Sequence, residues 1–240
     1  PLAHYEVSDT TSTTTTESSV TSATIAARSD LFMFLDFADS AQVTTSGDPT
    51  VLTQIIATND STFTFVSSDA AGIAYEDFGT ESAKCINLNA GNIRLSDSST
   101  AAEPESGALI MLFTTQTTID DNQILTDWYR WRISCNSDKL AYYTGSVVDT
   151  TISLLAATDY LLTVRRNATE FIWRLEKLSD NTTQEQTTSN GGNSSGTGLY
   201  DVGGTSSATA DGKISNVVVL TSNADADVEE VELYMRQQYR

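Results

Sequence analysis

From Leu31 onward, short apolar segments alternate with clusters of Gly, Asn, Asp and Ser. β-Branched and aromatic residues crowd those segments, which is the pattern of strands separated by turns. The pattern predicts strands at Leu31–Phe37, Gln54–Thr58, Thr62–Val66, Ile73–Tyr75, Asn92–Leu95, Ala108–Thr114 and Tyr129–Ser134. It predicts further strands at Leu140–Thr144, Thr151–Leu155, Tyr160–Arg165, Phe171–Leu175, Gly198–Val202 and Lys213–Leu220. In Thr62-Phe63-Thr64-Phe65 the two rings share one face, and in Tyr129-Arg130-Trp131-Arg132-Ile133 apolar residues alternate with arginines. Such period-two alternation belongs to antiparallel strands with one face on a core and one in water. No amphipathic helix separates the segments, so the expected class is all-β: two antiparallel sheets packed as a sandwich.

At the C-terminus the period changes. Val228, Val231, Tyr234 and Met235 fall at helical spacing, and Asp227 precedes Glu230 by three residues in the manner of a capping box. Acids at the start, with Arg236 and Arg240 near the end, suit the helix dipole. This predicts one short helix over about residues 226–238, lying on the edge of the sandwich. The other end of the chain has no such pattern. From Ser8 to Thr24 it is almost pure Ser and Thr, with too few apolar groups to bury. Residues 1–24 are therefore expected to form an extended arm, passive or draped over a neighbouring subunit, and residues 25–240 the folded domain.

Charge narrows the choice of partner. Thirty-two acids against 13 bases give a net charge of −19. That balance argues against nucleic acid, whose phosphates need a positive surface, and against anionic membranes. No apolar run approaches the roughly 18 residues of a membrane-spanning helix. Cys85 and Cys135 lack metal-site spacing, and His4 is the single histidine, so a structural zinc cluster is excluded. The cysteines read as two small buried hydrophobes, with a disulfide as the alternative. The glycine-rich stretch 189–198 lacks the Lys-Ser/Thr that ends a phosphate-binding loop.

Three motifs carry a family resemblance. Trp131-Arg132-Ile133 leads through Lys139-Leu140-Ala141-Tyr142-Tyr143 to Tyr160-Leu161-Leu162-Thr163-Val164-Arg165-Arg166. Leu199-Tyr200-Asp201-Val202-Gly203-Gly204 follows, and then Asp211 to Leu220 with the closing helix. In this order they resemble the laminin-G-like, concanavalin A-like lectin/glucanase superfamily over roughly residues 30–239. The resemblance implies a two-sheet jelly roll that commonly binds carbohydrate or protein. Its glucanase branch carries Glu-x-Asp-x-Glu on one strand, and its alginate-lyase branch carries Gln-x-His. Neither motif is present here, and a Ser-His-Asp triad fails because His4, the single histidine, lies outside the predicted strands. The expectation is therefore a protein that is not an enzyme.

Candidate binding residues form a basic group in an acidic chain. Arg130, Arg132, Arg165, Arg166 and Arg174 account for five of the 13 bases. Aligned on neighbouring strands, Arg130, Arg132 and Arg174 would form a ladder for a carboxylated or sulfated glycan or for an acidic surface of a partner subunit, with Trp128, Tyr129, Tyr142 or Tyr143 as a stacking face. Paired with the chain's own acids, they would be ordinary solvent-face residues. No cofactor is assigned. Calcium, a ligand in the resembled superfamily, would find its carboxylates at Asp120 and Asp121, or at Asp36 and Asp39.

The expected function is a non-catalytic structural or adhesion module of a virion, such as a capsid decoration or fibre protein of a tailed phage. Its partners would be other virion proteins or copies of itself through the arm, together with a surface glycan. The first residues show no basic segment followed by an apolar one, the pattern of a secretory leader, which favours the virion. The alternatives are a secreted or cell-surface lectin and a polysaccharide-degrading enzyme.

Overall fold

The computed structural model describes residues 19–47, 50–58, 63–69, 72–78, 83–88, 94–97, 101–102, 104–116, 119, 123–128, 131–143, 146–190, 200–204 and 212–239, excluding 103 and 117–118. The first half contains α1 (Ser22–Ala26), β1 (Leu31–Leu35), β2 (Val43–Ser46), β3 (Val51–Ile56), β4 (Thr64–Ser67), β5 (Ile73–Phe78), β6 (Ala83–Leu88) and β7 (Leu95–Asp97). Next come β8 (Gly107–Thr115), β9 (Gln123–Asp127), β10 (Ile133–Asn136), β11 (Lys139–Tyr143) and β12 (Val147–Ser153). The chain closes with β13 (Asp159–Arg166), β14 (Glu170–Lys177), β15 (Thr182–Ser189), β16 (Tyr200–Val202), β17 (Gly212–Leu220) and α2 (Asp225–Tyr239). The all-β class and the closing helix are as expected.

The sheet architecture differs from a two-sheet jelly roll. Antiparallel pairing runs without a break from β15 through β14, β13 and β8 to β17. The first half of β17 pairs with β6 and its second half with β1. From β6 the path continues through β5 to β3, where Val51 and Leu52 face Ala74 and Ile73. It then runs through β4, β7, β16, β9, β10 and β11 to β12, while β2 pairs on the other flank of β3. The result is one large antiparallel sheet bent back on itself and nearly closed. The two ends meet at a seam made by side chains. Thr151 N and Ser153 N of β12 donate to the side-chain oxygens of Gln186 and Gln184 on β15, at 2.6 and 2.9 Å. Gln184 Nε2 returns a bond to Ser153 O at 2.8 Å.

Two cores follow from this wrapping. Inside the fold, Phe63, Phe65, Phe113, Trp128, Trp131, Tyr160, Trp173 and Tyr200 fill the space between facing walls. Outside one wall, Phe34, Ile110, Leu112, Leu161, Val218 and Leu220 meet Ile25 of α1 and Val228, Val231, Tyr234 and Met235 of α2. This second core explains why β8 and β17 are apolar on both faces rather than alternating. Full burial of one such aliphatic side chain contributes about 1.5–3 kcal/mol. At a register shift in β17, Ser215 and Asn216 are buried yet bonded: Ser215 Oγ donates to Lys84 O at 2.7 Å, and Asn216 Oδ1 accepts from Phe37 N at 3.1 Å. At the start of β8, Gly107 has φ +150°, and a Cβ there would sit 2.0 Å from Leu220 O. Only glycine allows the two central strands this approach.

Cys135 lies in the inner core and Cys85 in the outer one, both as free thiols. The wall between them explains why they do not pair. Of the expected arm, residues 1–18 lie outside the described residues, and Ser22–Ala26 forms α1. Thr21 caps that turn by accepting from Thr24 N at 3.2 Å. Val20 N donates to Gln237 of α2 at 3.1 Å, so the start of the described chain is already part of the fold.

Candidate functional site

Alternation builds the site on the outside of the wall formed by β7, β16, β9, β10 and β11. Trp131 and Ile133 are buried inward, which turns Arg132 outward. Tyr142 points into the core and Tyr143 out, with 36% of its surface exposed. The turn between β10 and β11 brings the two outward residues side by side, with Tyr143 N donating to Arg132 O at 3.3 Å. The Arg132 guanidinium lies 4.6 Å from the centre of the Tyr143 ring, within cation–π range.

The row continues through carboxylates. Arg132 Nε is 3.3 Å from Asp127 Oδ1 at the end of β9. Asp127 is the direct cross-strand partner of Asp201 on β16, and Asp201 is the partner of Ser96 on β7. Arg94 Nε lies 3.0 Å from Asp201 Oδ2 and donates to Ser96 Oγ at 2.9 Å. Two like charges directly opposed in a sheet destabilise it unless they are compensated, and here an arginine stands at each end. Burial pushes the Asp127 carboxyl up, helped by the charge of Asp201 and opposed by Arg132 and Arg94. Burial likewise pushes Asp201 up, against a Ser96 hydrogen bond and Arg94. Among the described residues, Asp201 Oδ1 has no hydrogen-bond partner. The open end of the row is Tyr143, Arg132 and Asp127; the closed end is Asp201.

Of the candidate residues, the structure unites Arg132 with Tyr143. Arg130, Asp120 and Asp121 lie outside the described residues. Arg174 is elsewhere, so Arg132 and Arg174 do not form a ladder. Its neighbours Phe171 and Trp173 meet Trp131 and Tyr142 across the inner core, at ring separations of 5.5–6.1 Å. Arg132 and Arg174 therefore leave opposite walls in opposite directions. Arg174 joins Glu232, with Glu176 at 3.4 Å and Glu185 at 3.5 Å. Arg236 bonds Glu176 and Glu232 at 2.7 and 2.9 Å, and Arg165 pairs with Asp225. Apart from Glu176, these groups line a cleft of about 580 Å³ between the sheet and α2, in which each arginine stands beside an acid. Arg166 is buried, 5.5 Å from the Phe171 ring.

Asp36 and Asp39 line another cleft, of about 500 Å³, beneath α1. Asp36 is buried there and accepts from Ser22 Oγ at 2.5 Å, Ala38 N at 3.0 Å and Tyr234 OH at 3.3 Å. Among the described residues, no group of three or more His, Cys, Asp or Glu is placed to hold a metal ion. No described helix is long and apolar enough to cross a membrane.

Asp127, Asp201 and Arg94 carry no local signal in the sequence. Only the long-range register of β9 and β16 sets the two carboxylates opposite one another, and that register is invisible to any pattern of neighbours.

No protein-family model and no curated protein matches the sequence. The fold is similar to that of several solved structures. A GH54 α-L-arabinofuranosidase soaked with a cyclic sulfate inhibitor matches 82% of this chain and 51% of its own, with a TM-score of 0.57 and 11% identity. Domain 4 of AbnA, a GH43 extracellular arabinanase of Geobacillus stearothermophilus in complex with arabinotriose, matches 85% of this chain and 98% of its own, with a TM-score of 0.53 and 12% identity. The enzymatically active domain of tailspike protein 2 of bacteriophage CBA120 matches 72% of this chain and 30% of its own, with a TM-score of 0.51 and 11% identity. The chain thus spans about half the length of the arabinofuranosidase and nearly all of the arabinanase domain. At such identities the likeness is one of fold: a β-rich scaffold shared with glycosidases, a tailspike and an arabinanase domain.

Proposed function

We propose that this protein is a non-catalytic glycan-contacting module displayed on the surface of a virus particle. The observation that carries the glycan reading is the outward row of Tyr143, Arg132 and Asp127. The partly exposed ring, one face of which the guanidinium covers, offers its other face to the C–H groups of a sugar, and the adjacent guanidinium and carboxylate offer a donor and an acceptor for its hydroxyls. A scaffold like that of an arabinanase domain holding arabinotriose, and of a phage tailspike domain, supports this by analogy of fold. The resemblance to laminin-G-like modules points the same way. Lack of catalysis is supported by the one opposed carboxylate pair in the site: each member is held by an arginine, and Asp201 is buried. A secreted carbohydrate-binding domain would use the same site, and the arabinanase-domain likeness favours that as the second reading.

On the virion reading, residues 1–18 mediate attachment to other virion proteins or to copies of this chain. Deleting them, while keeping α1, is expected to release the protein from particles and leave its melting temperature unchanged. The glycan reading is tested by titrating immobilised polysaccharides with wild type and with Tyr143→Ala and Arg132→Ala. Each variant is expected to bind about tenfold more weakly, equivalent to about 1.4 kcal/mol. Unchanged affinity in both variants would refute this site.

A further inference from the structure

The row at Tyr143 also specifies the class of glycan, an inference that rests on the glycan reading above. Each arginine of the row already faces a carboxylate: Arg132 has Asp127 and Arg94 has Asp201, so the four charges cancel. The same holds away from the row, where Arg28, Arg165, Arg174 and Arg236 all stand beside Asp or Glu. An anionic sugar would have to compete with one of these internal carboxylates for its arginine. It would also approach a chain carrying −19, whose long-range field slows the encounter.

The geometry suits a different guest. At 3.3 Å, the Arg132 Nε–Asp127 Oδ1 contact is longer than the roughly 2.7–2.9 Å of a tight charge-assisted bond. Both side chains are partly open, at 31% and 27% exposure. Arg132 therefore keeps N–H donors, and Asp127 keeps carboxylate lone pairs, facing solvent beside one another. A sugar hydroxyl both donates and accepts, so two neighbouring hydroxyls satisfy both partners without parting them. A carboxylate or sulfate only accepts. It could use Arg132 but would meet Asp127 as a like charge.

We infer that the ligand at Tyr143, Arg132 and Asp127 is an uncharged, hydroxyl-rich glycan, whose neighbouring hydroxyls bridge the guanidinium and the carboxylate while its C–H face lies on exposed Tyr143. This reverses the preference suggested by the arginines in the sequence. The ion pair is retained as a bipolar clamp, and selectivity against anionic sugars comes from the acid half of it.

The test is a binding panel with the full chain. Dextran, mannan and arabinan represent neutral polysaccharides; alginate, heparin and polysialic acid represent anionic ones. Each is measured at low and at high NaCl. The expected result is retention on at least one neutral polymer, with affinity changing less than twofold across the salt range, and none on the anionic set. Asp127→Asn should weaken neutral binding about tenfold and admit salt-sensitive binding to the anionic polymers. Circular dichroism checks its fold, and the wild-type panel stands without it. Salt-sensitive binding of wild type to anionic polymers, lost in Arg132→Ala, would overturn the uncharged class while keeping the glycan site. Binding to neither class would overturn both this inference and the glycan reading beneath it.

Discussion

Glu232 is the most informative single side chain for separating architecture from binding. It projects from α2 into the sheet and is 2% exposed. Its Oε1 accepts from Thr163 Oγ1 at 2.6 Å, and its Oε2 receives Arg236 Nη2 at 2.9 Å as well as Arg174 Nη1. Burial raises its carboxyl, but the Thr163 and Arg174 hydrogen bonds and the two guanidinium charges outweigh burial and hold it below the ordinary glutamate value. Glu232→Gln keeps the shape and one donor–acceptor pair but removes the charge. Breaking a fully buried ion pair costs about 3–5 kcal/mol. Arg174 and Arg236 are 31% and 22% exposed and retain Glu176, so screening and the second acid reduce the loss to about 2–3 kcal/mol. For a domain of this length that is a fall in melting temperature of roughly 4–12 °C. The assay is thermal denaturation followed by circular dichroism, run in parallel with glycan binding. The expected outcome is a lower Tm with unchanged affinity. A Tm within 1 °C of wild type would refute the packed-network argument. Lost glycan binding at unchanged Tm would relocate the site to the α2 cleft.

Val231 is fully buried in the outer core, so Val231→Asp places an unpaired charge there at a cost of several kcal/mol; its Tm should fall by more than about 10 °C, and a change under 1 °C would refute the packing of α2. The pH dependence should have two limbs. Burial raises Asp127 and Asp201, so folding takes up a proton there and their contribution to stability grows as the pH drops through those raised values; Asp201→Asn should flatten this limb. Glu232 is depressed, so its stabilisation is present above the ordinary glutamate value and lost as the pH falls through its lowered one; Glu232→Gln should lose that limb in Tm measured against pH. Burial pushes both thiols up to about 12, so Cys85 and Cys135 should stay unreactive toward a thiol reagent at pH 8 until the protein is denatured, and rapid native labelling would contradict their placement.

Legibility in the sequence tracked hydrophobic content only in part: β6, which buries Ala83, Cys85, Ile86 and Leu88, and β9 fall in no segment that the sequence pattern predicts. Strands that bury side chains, such as β13 and β14, were readable from Tyr160–Arg165 and Phe171–Leu175, and α2 from its Val228–Val231–Tyr234 stripe. β15 was not, because Thr182–Ser189 holds no apolar residue and is a strand only through its ladder with β14. β2 is missed for a similar reason, being largely exposed beside β3, and α1 because its single anchor is Ile25. The continuity of the sheet depends on the β3–β5 pairing, a contact between segments that no local period encodes. Arg132 was legible as an outward residue of an alternating strand, and Tyr143 only as one of several candidate stacking rings. Their relation to Asp127 and Asp201 was not, since those acids close β9 and interrupt β16 without any pattern of their own.

The seam between β12 and β15 has a mechanical consequence. Elsewhere the wall is a ladder in which each rung is reinforced by the next, so strands separate only by breaking many bonds together. At the seam the rungs are Gln184 and Gln186, two flexible side chains that release by rotating about their own bonds. The wall is thus a hoop with a clasp. Under load, or in a thermal fluctuation, it should part first at Thr151 and Ser153, and those amides should exchange with solvent faster than amides of the β8–β13 ladder while the rest of the molecule stays folded. The glutamines also occupy the donors that a bare β12 edge would offer to another chain, so the clasp that lets the hoop open keeps it from being spliced into a neighbour's.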